Sequence, residues 1–90
     1  MFRLWAKMWK ENHLLRDMTV EDDSADNRTK KVFRAVETVC EAWDLPKPIW
    51  LASNVKDFKQ RARTRFGPDS YIEQVDFDWL EIHVIEEDRV

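Results

Sequence analysis

Residues 2–9 alternate, with Phe2, Leu4, Ala6 and Met8 on one side and Arg3, Trp5, Lys7 and Trp9 on the other. Period-2 alternation predicts a half-buried strand. Lys10-Glu11-Asn12-His13 is polar and turns the chain. Residues 14–21 then alternate again, with Met18 and Val20 opposite Asp17, Thr19 and Glu21. The expectation is a β-hairpin, although its turn carries neither Asn-Gly nor Asp-Gly. A helix over residues 2–15 is the competing reading, because Leu4, Met8 and Leu15 nearly fit the helical period.

Glu21-Asp22-Asp23-Ser24-Ala25-Asp26 is a loop rich in capping residues. A helix is expected over about residues 27–43, with Val32, Phe33, Val36, Val39, Cys40 and Trp43 as its apolar stripe. Pro46 and Pro48 stop it. Ile49-Trp50-Leu51 reads as a brief edge strand or a buried linker. Ser53 or Asn54 then caps a second helix through about Arg65, with Val55, Phe58, Ala62 and Phe66 as its seam. Gly67-Pro68 ends it, and Tyr71, Ile72 and Val75 anchor a turn. From Asp78 to Glu86 the alternation returns, with Leu80, Ile82 and Val84 inward and Trp79, Glu81 and His83 outward. Glu86-Glu87-Asp88-Arg89 is a charged end. The pattern predicts an α+β single domain over residues 1–90, in the order β-β-α-(β)-α-β. Its small, mostly antiparallel sheet comes from the N-terminal hairpin, the C-terminal strand and a short middle strand, with both helices on one face.

Composition narrows the function classes. The chain is 43 % hydrophobic, which excludes a disordered tail, and 37 % charged, which gives a densely solvated surface. One glycine in 90 residues leaves no material for a phosphate-cradling loop. A net charge of −3 exerts no global pull on nucleic acid or anionic membrane, so any basic site is local. Cys40 is the lone cysteine, which rules out an intrachain disulfide and a cysteine-based zinc site and fits a reducing, cytoplasmic setting. Charges interrupt residues 1–7 every few positions, so that segment reads as neither signal peptide nor membrane span.

The opening Phe2-Arg3-Leu4-Trp5, the central Lys47-Pro48-Ile49-Trp50-Leu51 and the closing Phe77-Asp78-Trp79-Leu80-Glu81-Ile82 resemble a family of small bacterial proteins of unassigned function. The likeness spans nearly the whole chain. It implies a bacterial, intracellular setting and no activity.

The outward face of the sheet is the most informative feature. If Phe2, Leu4, Ala6 and Met8 meet the helices, Trp5, Trp9 and Trp79 face away, with Arg3, Lys7 and His83 among them. Three exposed indoles would each forfeit about 2–3 kcal/mol of burial. One reading is that they bury in a homodimer or against a protein partner. A second is that they stack unpaired bases while Arg3 and Lys7 contact phosphate in a single-stranded nucleic acid. The plainest is that the tail and the 44–52 linker fold over them.

Lys56, Lys59, Arg61, Arg63 and Arg65 form a candidate basic patch on the second helix, broken by one acid, Asp57. On a helical wheel these bases flank the seam, where their methylenes cover the core edge and their charges reach Glu73, Asp76, Asp78, Glu86 and Glu87. The first helix carries Arg28, Lys30, Lys31 and Arg34 at its start and Glu37 and Glu41 near its end, against the helix dipole. That order points either to a contact role or to neutralisation by Asp22, Asp23 and Asp26.

Pro68-Asp69 followed by Glu81-Ile82-His83 loosely resembles a nuclease pattern, with His83 where a lysine belongs. A metal-dependent hydrolase using Asp69 and Glu81 is thus a distant third reading. His13 reads as a turn residue, and Cys40 as an inert core thiol. No catalytic or metal-ligating residue is assigned, no cofactor is expected, and the best expectation is a non-enzymatic, self-associating interaction module.

Overall fold

Alternation along the first 22 residues becomes a long hairpin in the computed structural model, which describes residues 1–87. Strand β1 is Phe2–Lys10 and β2 is His13–Asp22. Helices α1 (Arg28–Ala42) and α2 (Ala52–Arg61) follow, then β3 (Arg63–Phe66), a 3-10 turn at Pro68–Ser70, and β4 (Trp79–Glu86). The four strands form one antiparallel sheet in the order β2-β1-β4-β3. The α+β class is as expected. The competing helix over residues 2–15 does not form: Phe2, Leu4, Ala6 and Met8 line one face of β1, which pairs with β2.

The hairpin turns on two residues, Glu11 and Asn12, both left-handed at φ 51° and 65°. Positive φ at both central positions suits a type I′ turn, whose twist matches that of the strands. The Glu11 amide donates to Asp78 Oδ2 at 2.7 Å, and the Asp78 amide donates to the Trp9 carbonyl at 2.8 Å. The hairpin end is thereby fastened to the entry of β4. A bulge between Met8 and Trp9 puts Leu14 opposite Trp9 and leaves Leu15 without a partner in β1.

Phe2, Leu4, Ala6 and Met8 of β1 and Leu80, Ile82 and Val84 of β4 meet Val32, Ala35, Val36, Val39 and Cys40 of α1 and Phe58 of α2 in one core. Asn27 caps α1, its side chain accepting from the Lys30 amide at 3.0 Å. Arg34, midway along α1, is held by both Asp22, at 2.8 Å, and Asp26. Residues 49–51 are a linker and carry no strand. Trp50 anchors that linker by edge-to-face contacts with Phe33, Phe58 and Phe66.

The second helix corrects the expectation at both ends. Leu51 is its N-cap, and Asn54, at the third position, accepts from the Leu51 amide at 3.0 Å. The helix stops at Arg61 because Ala62 turns left-handed at φ 57°. Arg63-Thr64-Arg65-Phe66 then alternates as an edge strand, with Thr64 and Phe66 buried. The Asn54 amide ties α2 to that strand, donating to Thr64 Oγ1 and to the Arg65 carbonyl, both at 2.9 Å. Of the charged end, Asp88 and Arg89 lie outside the described residues.

Candidate interaction surface

Side chains directly opposite on neighbouring antiparallel strands share a face. The register therefore lays out the helix-free side in rows. One row runs Thr19–Trp5–His83–Arg63, the next Asp17–Lys7–Glu81–Arg65, and the third Leu14–Trp9–Trp79. Arg3 lies at one end, at 3.0 Å from Glu21 and 3.6 Å from Glu86. Trp5, Trp9, Trp79, Arg3, Lys7 and His83 thus stand on one surface, opposite the helices.

Each of the three indoles is half-buried rather than open to water. Polar neighbours on the same face close around them. Trp5 Nε1 donates to Asp17 at 2.8 Å, and Lys7 Nζ sits 4.0 Å from the centre of the Trp5 ring. Trp9 Nε1 donates to Glu81 Oε1 at 3.0 Å. The Arg65 guanidinium lies 4.8 Å from the Trp79 ring centre. Cations over indole faces are held by the ring quadrupole.

Glu81 is the centre of this network and is 6 % exposed, although no helix covers it. Its Oε1 takes the Trp9 N–H and Lys7 Nζ at 3.5 Å, and Oε2 faces Arg65 at 3.9 Å. A buried carboxylate needs such compensation. His83, between Trp5 and Arg63, is held below the ordinary histidine pKa by burial first, then by Arg63 and Lys7.

The basic patch expected on the second helix divides between two elements. Lys56, Lys59 and Arg61 lie on α2, whereas Arg63 and Arg65 lie on β3 and join the helix-free face. The mixture of bases and short side chains fits a helical wheel, which hid the alternation that forms the strand. Leu14 also joins this face. It reaches this face only through the bulge, for which local sequence carries no mark.

The remaining candidates lie elsewhere. His13 is exposed at the hairpin end, and Cys40 is buried, its thiol pushed up to about 11 by burial. Asp69 is exposed on the 3-10 turn, while Glu81 is engaged by Trp9, Lys7 and Arg65. Among the described residues no three His, Cys, Asp or Glu side chains gather as metal ligands, and no helix is long and apolar enough to cross a membrane.

No protein-family model matches this chain, and neither a curated protein nor a solved structure matches it.

Proposed function

We propose that the chain is a non-enzymatic interaction module that self-associates as a homodimer through the helix-free face of its sheet. The observation that carries this reading is the composition of that face. Leu14, 44 % exposed, continues Trp9 and Trp79 into an apolar band across three strands. Around the band stand Arg3, Lys7, Arg63 and Arg65, together with Asp17, Glu21, Glu81 and Glu86. Four bases against four acids make a surface without net sign. Such a surface suits a second copy of itself, because a face carrying both signs in equal number is not repelled by its own copy. A polyanion would meet the four carboxylates, so single-stranded nucleic acid is the weaker occupant. The sheet offers a plane of roughly 20 by 30 Å, of the order that a small stable interface requires. The lone, buried thiol of Cys40 fits a cytoplasmic setting for this module.

Light scattering on the eluting protein tests the reading. At high micromolar concentration the wild type is expected at twice the 10.9 kDa chain mass. Leu14→Arg places a charge in the apolar band at an exposed position and is expected to return the particle to the single-chain mass, with a thermal midpoint equal to that of the wild type at low concentration, where neither associates. A wild type that stays at the single-chain mass refutes the proposal. If the mass is doubled but unaffected by Leu14→Arg, the interface lies on another surface.

A further inference from the structure

At the outer edge of β3, Asp57, Arg61, Arg63, Thr64, Arg65 and Glu81 line a hollow of about 390 Å³. The chain carries 18 acids against 15 bases, yet among the described residues neither Arg61 nor Arg63 has a carboxylate within ion-pair reach. We propose that this hollow is a binding site for a compact phosphate-class oxyanion, held by the Arg61, Arg63 and Arg65 guanidiniums. The site goes beyond the self-association proposed above and does not depend on it.

Local backbone structure converges the three side chains. The left-handed Ala62 ends α2 directly beside Arg61 and starts β3 at Arg63. Arg63 and Arg65 then project from the same face of the strand, about 7 Å apart along it. Arg65 is already oriented, with Trp79 against its plane and Glu81 at 3.9 Å. Its remaining N–H groups are free to donate, and a guanidinium presents its donors as a fork that matches two oxygens of one anion.

Charge accounting favours a dianion. Glu81 is answered by Lys7 at 3.5 Å and by the Trp9 N–H, which leaves Asp57 as the acid facing the three guanidiniums. Three positive charges against one negative leave two. The positive potential is also felt by His83, opposite Arg63 in the ladder, which Arg63 and Lys7 help to keep neutral.

Titration with inorganic phosphate at low salt, followed by backbone amide shifts, tests the proposal. The expected result is saturable shifts centred on residues 61–65. Arg61→Gln combined with Arg63→Gln weakens the affinity at least about tenfold, as expected for lost charge-assisted hydrogen bonds. Lys56→Gln, outside the hollow, leaves it unchanged. The absence of localised shifts at millimolar phosphate overturns the proposal, as does undiminished affinity in the double variant. If the double variant fails to fold, the location of the wild-type shifts decides. A second titration with a short single-stranded oligonucleotide separates the sources of phosphate. Binding by the oligonucleotide alone assigns the arginines to an extended strand and refutes the compact site. Arg63 and Arg65 also border the face proposed for self-association, so the titration is run at a concentration where light scattering gives the single-chain mass, which keeps the two outcomes separate.

Discussion

Tyr71 packs edge-on against Phe77, their ring centroids 5.5 Å apart, and its hydroxyl is buried with no hydrogen-bond partner among the described residues. Burial raises its pKa far above the ordinary tyrosine value, so the group stays neutral. A buried donor without an acceptor costs about 1–3 kcal/mol relative to one left in water. Tyr71→Phe keeps the ring and removes that cost. It is expected to leave stability unchanged or raise it by about 1 kcal/mol, read from the urea midpoint at constant slope. A loss of more than about 1 kcal/mol would reveal a partner for the hydroxyl. Glu81 makes the contrast, since its buried charge is fully engaged. That outcome was illegible in the sequence. Glu81 was readable as an outward residue of an alternating strand, but the groups that bury it come from β1 and β3, and Lys7 and Trp9 lie more than 70 positions away.

At the scale of elements, the hairpin turn carries the largest local conflict. Glu11 adopts a left-handed conformation that costs a residue with a Cβ about 1–2 kcal/mol. Glu11→Asn with Asn12→Gly supplies the residues a type I′ turn favours and keeps the Glu11 amide that donates to Asp78. The double variant is expected to gain about 1 kcal/mol, which for a domain of this size raises the thermal midpoint by roughly 4–8 °C. A midpoint at or below the wild type would mean that tertiary contacts, rather than turn propensity, set the loop. Strand legibility followed the clarity of the period. In β1 and β4 the core residues Phe2, Leu4, Ala6 and Met8, and Leu80, Ile82 and Val84, recur at every second position, so the inward face is legible. In β3 four residues are too few to outweigh a helical pattern already running, and the break at Ala62 carries no glycine to announce it. Asn54 illustrates the same limit. It was readable as a cap, but its grip on Thr64 and Arg65 requires the strand that the sequence concealed.

Across the whole molecule, the titratable groups with shifted pKa values lie on both sides of the sheet, and the response to acid follows from that layout. On the helix-free face His83 is kept below the ordinary value of 6.5 by burial, Arg63 and Lys7, opposed by Glu81. The unfolded chain therefore binds a proton at His83 before the folded chain does. Stability from this group is complete above the ordinary pKa and is lost as pH falls from there through the lower folded value. On the helical side, Asp22 is lowered by the Ser24 hydroxyl and amide and by Arg34, and Asp26 chiefly by Arg34. Their contribution is present above the ordinary 3.8 and disappears only as pH falls through their still lower folded values. Two acid stages are expected, the first from the open face and the second from the clip between the hairpin and α1. His83→Gln removes the first stage and keeps the second. Thermal midpoints taken at low concentration, so that association does not enter, should coincide in shape above about pH 7. As pH falls below the ordinary 6.5 the wild type should decline relative to the variant, and both should decline together in stronger acid. Parallel curves over the entire range would show that His83 titrates as it does in water. The enclosure of that face by Trp5, Lys7 and Arg63 would then be too loose to exclude a proton, and too loose as well to hold the rigid plane that a partner copy must meet.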